Sequence, residues 1–197
     1  MAIAAPPAAS QMTYDEYMTG PTFEGRYDII DGVKLDMPTP SWWHQRIVFR
    51  VILAFAEYES RVGTVLSLTA PYDILLSRSP LRTRQPDVLL ISKQQLDLGG
   101  GAPKIGPIEV APELVVEIIS NSETQRRFAG KIADYARIGV REVWRIEVEA
   151  ATLEVIDLTS GVPVSTGVYQ RLEAISSLTF TDLTIQLSSI FQDLTQN

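Results

Sequence analysis

The sequence predicts an α/β (α+β) domain, a mixed β-sheet flanked by helices. Three observations point to it. Apolar runs of strand length, Val88-Leu89-Leu90-Ile91 and Leu114-Val115-Val116-Glu117-Ile118-Ile119, lie between turn-forming residues. Ile47, Val48, Val51, Ile52, Phe55 and Tyr58 recur at helical spacing. The segments follow one another as helix, several strands, helix, strands, which is a layered arrangement. Within it, the Glu117 strand, a crossover helix and the strand carrying Trp144 make a candidate βαβ unit.

Each element has a local reason. Residues 1–11, MAIAAPPAASQ, carry two prolines and no basic residue. They read as a disordered lead-in rather than a signal peptide, leaving 12–197 as a single domain. Residues 12–19 suit a short helix, with Thr13 as its cap and Glu16 closing a capping box. Arg26 to Leu35 reads as a hairpin turning at Asp31-Gly32. Pro38 and Pro40 interrupt the chain, and Ser41 then caps a helix from Trp42 to about Ser60, which ends at Arg61-Val62-Gly63. Thr64 to Thr69, Tyr72 to Leu76 and Arg84 to Ser92 read as strands, and the glycines of Leu96 to Gly106 as a flexible loop. Pro112 to Ile119 is the Glu117 strand. Ser120 caps the next helix with Glu123 as its partner, and Gly139 stops it after Ile138. Val140 to Val148 and Thr152 to Leu158 follow as strands. Gly161 to Gly167 reads as a loop, Val168 to Leu172 as a short strand, and Leu183 to Leu194 as a final helix. There is no internal repeat and no heptad run.

Composition narrows the function classes. The chain has 197 residues, 45% hydrophobic and 21% charged, as in an ordinary globular domain. No stretch approaches the roughly 18 apolar residues of a membrane span, so no membrane partner is expected. With no cysteine, disulfides, thiolate chemistry and sulfur-ligated zinc are excluded, which fits a cytoplasmic protein. The net charge of −7 counts against simple duplex binding, because phosphate contacts need a positive patch. A local patch remains available in Arg78, Arg82, Arg84, Arg126, Arg127 and Lys131, around the two apolar strands that carry acids. Bound divalent cations would add positive field.

Those two acids are the main chemical signal. Glu117 lies inside an apolar strand, and Asp87 heads another. A buried carboxylate is costly unless it is paired, hydrogen-bonded or metal-bound. Hard divalent ions such as magnesium or manganese prefer carboxylate oxygens, and one acid from each strand could share an ion that activates water. The structural alternatives are a solvated Asp87 after Pro86, and a Glu117 paired with Arg145 on a neighbouring strand. In the following helix Phe128, Ile132, Tyr135 and Ile138 mark the packed stripe. Lys131 borders that stripe and could reach back to the acids, where it would orient water or neutralise phosphate charge. Alternatively its stem covers apolar surface. Asp28 or Glu24 near the hairpin could add a third carboxylate, with turn or surface use as the alternative. His44 is the single histidine, in the first turn of the Trp42 helix. It could carry a proton or contact phosphate, or be an ordinary half-buried side chain. Trp42 and Trp43 could stack on bases, but core or dimer-interface use suits them better. There is no GxGxxG, P-loop or GxSxG.

Taken together, Pro86-Asp87, the run Pro112 to Ser120 around Glu117, Lys131, Tyr135 and Gly139-Val140-Arg141-Glu142-Val143-Trp144 resemble the Uma2 (DUF820) family of restriction-endonuclease-like proteins, abundant in cyanobacteria. Tyr27-Asp28-Ile29-Ile30-Asp31-Gly32 and His44 fit its amino-terminal pattern of an acid, Asp-Gly and then histidine. The resemblance spans roughly Thr13 to Phe191. It implies the PD-(D/E)xK nuclease superfamily, a restriction-endonuclease-like core, and a Mg2+- or Mn2+-dependent endonuclease that hydrolyses phosphodiester bonds in DNA. By that resemblance Asp87 and Glu117 are the metal-binding acids and Lys131 is the catalytic lysine. The simplest superfamily spacing would place that lysine at position 119, which here is Ile119. Asp28 and His44 match the family's amino-terminal acid and its histidine. Arg127 stands four residues before the lysine, where the family often has Asp. The rival expectation is a non-catalytic protein that keeps the nuclease-like fold, as a dimeric scaffold or a nucleic-acid-associated accessory module. A small acidic domain of this kind could form a homodimer.

Overall fold

The computed structural model describes residues 11–119, 125–192 and 194. Residues 1–10 of the expected lead-in, 1–11, and the expected Ser120–Glu123 cap lie outside them. The chain opens with helix α1 (Tyr14–Thr19), where the Thr13 hydroxyl accepts the Glu16 N–H and the Glu16 carboxylate returns to the Thr13 N–H at 2.8 Å. The hairpin of β1 (Tyr27–Ile30) and β2 (Val33–Asp36) turns through Asp31 at φ 52° and Gly32 at φ 77°. Those are the two left-handed positions of a type I′ turn. Helix α2 (Trp42–Val62) starts at Ser41, whose side chain accepts the His44 N–H, and ends at Gly63 with φ 68°. Strands β3 (Val65–Thr69), β4 (Ile74–Arg78), β5 (Leu81–Arg84) and β6 (Val88–Ser92) follow. Then come the short helix α3 (Lys93–Leu98), strand β7 (Leu114–Ile119) and helix α4 (Gln125–Ile138). Strands β8 (Glu142–Glu147), β9 (Thr152–Asp157), β10 (Val164–Gln170), β11 (Ala174–Ser176) and β12 (Thr184–Gln186) precede the final helix α5 (Leu187–Ile190).

Two sheets carry the architecture. A six-stranded sheet has the order β10-β9-β8-β7-β6-β3, antiparallel throughout except for the parallel pair β7–β8. That parallel pair is joined by α4, as the expected βαβ unit requires. A four-stranded antiparallel sheet runs β2-β1-β5-β4. Alternation along the strands sorts the core into two layers. Val88, Leu90, Val116 and Ile118 pack with Ile47, Val51 and Phe55 of α2. Leu89, Ile91, Val115 and Ile119 pack with Phe128, Ile132 and Tyr135 of α4.

Several bounds differ from the sequence reading. Arg84 to Ser92 is two strands in two sheets, because Pro86 lacks the N–H that would continue the β5 ladder. Part of the glycine-rich loop is α3, which Ser92 caps through the Gln95 N–H. Strand β10 begins at Val164 and accommodates Gly167 with a shift in register. The expected last helix is β12 followed by one helical turn, since Leu183, Ile185 and Leu187 alternate with polar residues and all three are buried. Among the described residues no helix is long and apolar enough to cross a membrane.

Candidate active site

Sheet register brings the two acids together. Val88 pairs with Val116 and Leu89 with Val115, so the same antiparallel register continued by one residue sets Asp87 opposite Glu117. Glu117 has the parity of Val115 and Ile119 and therefore faces α4. It is fully buried, and so are Asp87 and Lys131, at 3% and 2% exposure. The Asp87 Oδ2 accepts the Ile118 N–H at 2.7 Å, which ties the end of the Pro86 turn to the neighbouring strand.

Helix α4 supplies the partners of Glu117. Phe128, Lys131, Ile132 and Tyr135 stand at i, i+3, i+4 and i+7, a single helix face. Lys131 Nζ donates to Glu117 Oε2 at 2.6 Å, and the Tyr135 hydroxyl donates to Oε1 at 2.5 Å. Arg145 lies across the β7–β8 ladder from Glu117 but pairs with Glu147 and Glu154 and stacks over Phe128. The alternative Glu117–Arg145 pair therefore does not form.

Asp87 has a different environment. Its Oδ1 lies 2.6 Å from the Arg26 guanidinium and 3.2 Å from His44 Nε2. These are charge contacts without the alignment of a hydrogen bond, and among the described residues Oδ1 has no aligned donor. His44 reaches it from the first turn of α2, and its Nδ1 also lacks a partner among those residues. Arg26 donates to the Gln85 carbonyl at 3.1 Å as well, anchoring it beside the turn. A cavity of about 50 Å³ opens here, lined by Arg26, Met37, His44, Asp87, Arg127 and Lys131. It has room for a few water-sized groups.

The electrostatics separate the two acids. Burial pushes the Asp87 carboxyl upward, but contact with His44 and the charges of His44, Arg26 and Lys131 outweigh it, leaving Asp87 at about 2. Burial also pushes Glu117 upward and the nearby Asp87 charge adds to that. Lys131 offsets only part, so Glu117 is raised to about 7. The Tyr135 phenol is raised by burial and by the Glu117 charge, so it stays a hydrogen-bond donor.

The donor chemistry fits a hard divalent cation. Asp87 lines the cavity and its Oδ1 has no aligned hydrogen-bond donor among the described residues, while Glu117, which is not among the lining residues, accepts one described hydrogen bond on each oxygen out of about two it can take. No group of three or more His, Asp or Glu side chains with metal-binding geometry occurs among the described residues, so water or substrate oxygens would complete the shell.

Asp28 is placed elsewhere. It is buried, its Oδ2 takes Arg84 at 2.7 Å and its Oδ1 takes the Gln85 N–H at 3.3 Å. It braces the segment leading to Asp87 and does not line the cavity. Glu24 is exposed. Arg127 lines the cavity one turn before Lys131, with its guanidinium against the Met37 sulfur. Trp42 and Trp43 are exposed, not core. Sequence reasoning did not single out Arg26, or Asp134, which binds Arg82 and Arg84. It also passed over Glu142, a buried acid that accepts from Trp144 Nε1 and the Ser177 hydroxyl, both at 2.6 Å. A basic residue immediately ahead of a hairpin, and an acid three residues after Lys131 on one helix face, were the available signals.

Comparison with known proteins agrees with this architecture. The family model "Uma2: Putative restriction endonuclease" matches residues 14–188. Among solved structures, the chain is similar to one from Anabaena variabilis ATCC 29413, described as a "putative nuclease belonging to DUF820". The TM-score is 0.73 at 16% identity, covering 92% of this chain and 98% of that one. At that identity the likeness shows the fold. No curated protein matches the chain.

Proposed function

The chain belongs to the Uma2 family, and from that premise we propose that it is a Mg2+- or Mn2+-dependent endonuclease that hydrolyses phosphodiester bonds in DNA. The observation that carries the reading is the meeting of Asp87, Glu117 and Lys131, from two paired strands and a crossover helix, beside a cavity lined by further cations. Asp87, through Oδ1, and Glu117 are the residues that would hold the ion. Such an ion supplies Lewis-acid charge and a more acidic water when bound.

The chain's own residues divide the remaining work. Arg26 and His44 hold the Asp87 carboxylate by its Oδ1, while the Ile118 N–H holds Oδ2. Tyr135 and Lys131 fix Glu117 from its two oxygens. Lys131 also lines the cavity, so its ammonium is placed to offset charge building on a phosphoryl oxygen. Arg26 and Arg127 give the cavity the positive lining that an overall acidic chain needs to accept a phosphodiester.

The test is cleavage of single- and double-stranded DNA with magnesium or manganese, by the wild type and Asp87→Ala, alongside calorimetric metal titration. Metal binding and cutting by the wild type alone support the reading. Equal cutting by both proteins, or a wild type that neither binds metal nor cuts, sinks it. A second reading rests on one observation: Glu117 is fully buried with both oxygens engaged, as in a purely structural ion pair. On that reading the fold is a scaffold, and both proteins would bind partners equally without cutting.

A further inference from the structure

The cavity beside Asp87 carries more positive than negative charge. Among the described residues its lining has one carboxylate, Asp87, against the cations Arg26, Arg127 and Lys131, with His44 beside them. Glu117, the second acid, is not among the lining residues and is matched by Lys131 at 2.6 Å. Asp87 is matched by Arg26, also at 2.6 Å. Each acid of the site therefore already has a cation, and Arg127 adds another to the lining. An ion arriving alone would bring further positive charge to a site already balanced, where buried surroundings screen it poorly.

The two pairs are not built alike. Lys131 donates a hydrogen bond to Glu117, whose other oxygen takes the Tyr135 hydroxyl, and all three side chains are buried. The Arg26 contact is one of charge alone, since Asp87 Oδ1 has no aligned donor among the described residues. Arg26 is also the more open of the two cations, its side chain 17% exposed against 2% for Lys131. One of its terminal nitrogens donates to the Gln85 carbonyl at 3.1 Å, which tethers it at the cavity. Its Nε is buried with no partner among the described residues. Arg26 thus covers the oxygen of Asp87 that a bound ion would need, and does so without an aligned hydrogen bond. A guanidinium presents several N–H groups in one plane and pairs equally with a carboxylate or a phosphate.

We propose that Arg26 is an exchange cation: it occupies Asp87 Oδ1 in the free protein and turns to the phosphodiester when a divalent ion takes that oxygen. The inference rests on the metal reading above and adds that ion and phosphodiester bind together. The negative charge of the phosphodiester draws Arg26 off the carboxylate and offsets the charge of the ion. By linkage each then tightens the binding of the other.

The test is Mn2+ binding followed by electron paramagnetic resonance of the free ion, which needs no turnover, with and without a phosphorothioate-linked thymidine dinucleotide. The wild type should hold Mn2+ about tenfold more tightly when the dinucleotide is present. Without it, Arg26→Met should bind Mn2+ about tenfold more tightly than the wild type, and it should gain little from the dinucleotide. Arg26→Lys keeps the charge and should stay near the wild type. Thermal melting checks that each variant is folded, and the wild-type comparison decides the matter alone if Arg26→Met is not. A wild type whose Mn2+ affinity ignores the dinucleotide, or a folded Arg26→Met that binds no more tightly than the wild type, overturns the exchange and leaves the metal reading standing. If neither protein binds Mn2+ under either condition, the metal reading falls and the exchange falls with it.

Discussion

Two buried clusters of acids and cations share helix α4, and they differ in one respect. In the first, Arg84 donates to Asp134 through Nε and one terminal nitrogen, at 3.0 and 2.7 Å, and to Asp28 through the other, at 2.7 Å. Arg82 and Arg137 complete Asp134, and the Gln85 N–H completes Asp28, so every carboxylate oxygen has a donor. The second cluster, Asp87, Glu117, Lys131, His44 and Arg26, uses the same kinds of residue but opens on a cavity. There Asp87 Oδ1 has charge near it and no aligned hydrogen bond. The closed cluster fastens the four-stranded sheet to α4. The open one keeps acceptor capacity on a buried oxygen of a residue that lines a cavity. Unspent lone pairs beside a cavity, more than burial or charge, mark where chemistry is available.

The largest expected effect separates the clusters by activity. If the proposed nuclease chemistry holds, Asp87→Ala should lower the rate of DNA cleavage by about a thousandfold or more, since a metal held there would supply several kcal/mol of transition-state stabilisation. Its melting temperature should move far less than its activity. Arg84→Met should do the reverse. It strands the Asp28 and Asp134 carboxylates in the interior, and breaking a buried pair costs about 3–5 kcal/mol. For a chain of this size that lowers Tm by roughly 10 °C. If Arg84→Met left Tm unchanged, the closed cluster would not be the fastening it is taken for.

The next effect follows from pH. Glu117 is raised in the folded chain to about 7 from its ordinary 4.5. Through that interval the folded state holds more protons than the unfolded state, so stability falls as pH rises from about 4.5 to 7. The slope is at most about 1.4 kcal/mol per pH unit. Asp87 works the other way. Its folded value is depressed to about 2 from its ordinary 3.8, so its contribution is complete above 3.8 and lost as pH falls through 2. Urea unfolding of the wild type between pH 4.5 and 7 should show the falling stability. Replacing the pair together, Glu117→Gln with Lys131→Met, should flatten it. An equal slope in both proteins would mean that Glu117 is not the group that titrates.

The open cluster was the more legible of the two in the sequence, and the reason is physical. An acid inside Leu114-Val115-Val116-Glu117-Ile118-Ile119 contradicts its neighbours, and Lys131 sits at the edge of a clear helical stripe, so both stand out locally. The Thr13 cap and the Asp31-Gly32 turn are local too, and both form as read. Asp134 does not stand out, because an acid is unremarkable in a helix that also carries Arg126, Arg127 and Arg137. Its burial comes from Arg82 and Arg84, some fifty residues earlier and in another sheet. Glu142 is hidden for the same reason, since its partners Ser177 and Thr179 arrive from the β11–β12 region. The chain changes sheets at Gln85-Pro86-Asp87, and a reading that runs Arg84 to Ser92 together misses that the switch is what presents Asp87.

The smallest effect tests whether the closed cluster depends on one cation or on all of them. Arg82 reaches Asp134 at 3.0 and 3.1 Å and Asp31 at 3.0 Å, but its side chain is 21% exposed against 7% for Arg84. Removing it leaves Asp134 with the two Arg84 donors and Arg137, so no buried charge is stranded. Solvent can replace part of what is lost. Arg82→Ala should therefore cost only about 1 kcal/mol, a shift in Tm of roughly 3 °C. The cost should shrink further in high salt, while the Arg84→Met deficit persists. Equal losses from the two substitutions would show that Asp134 draws on its cations collectively. The contrast with the open cluster would then rest on the cavity alone, and not on how completely each acid is paired.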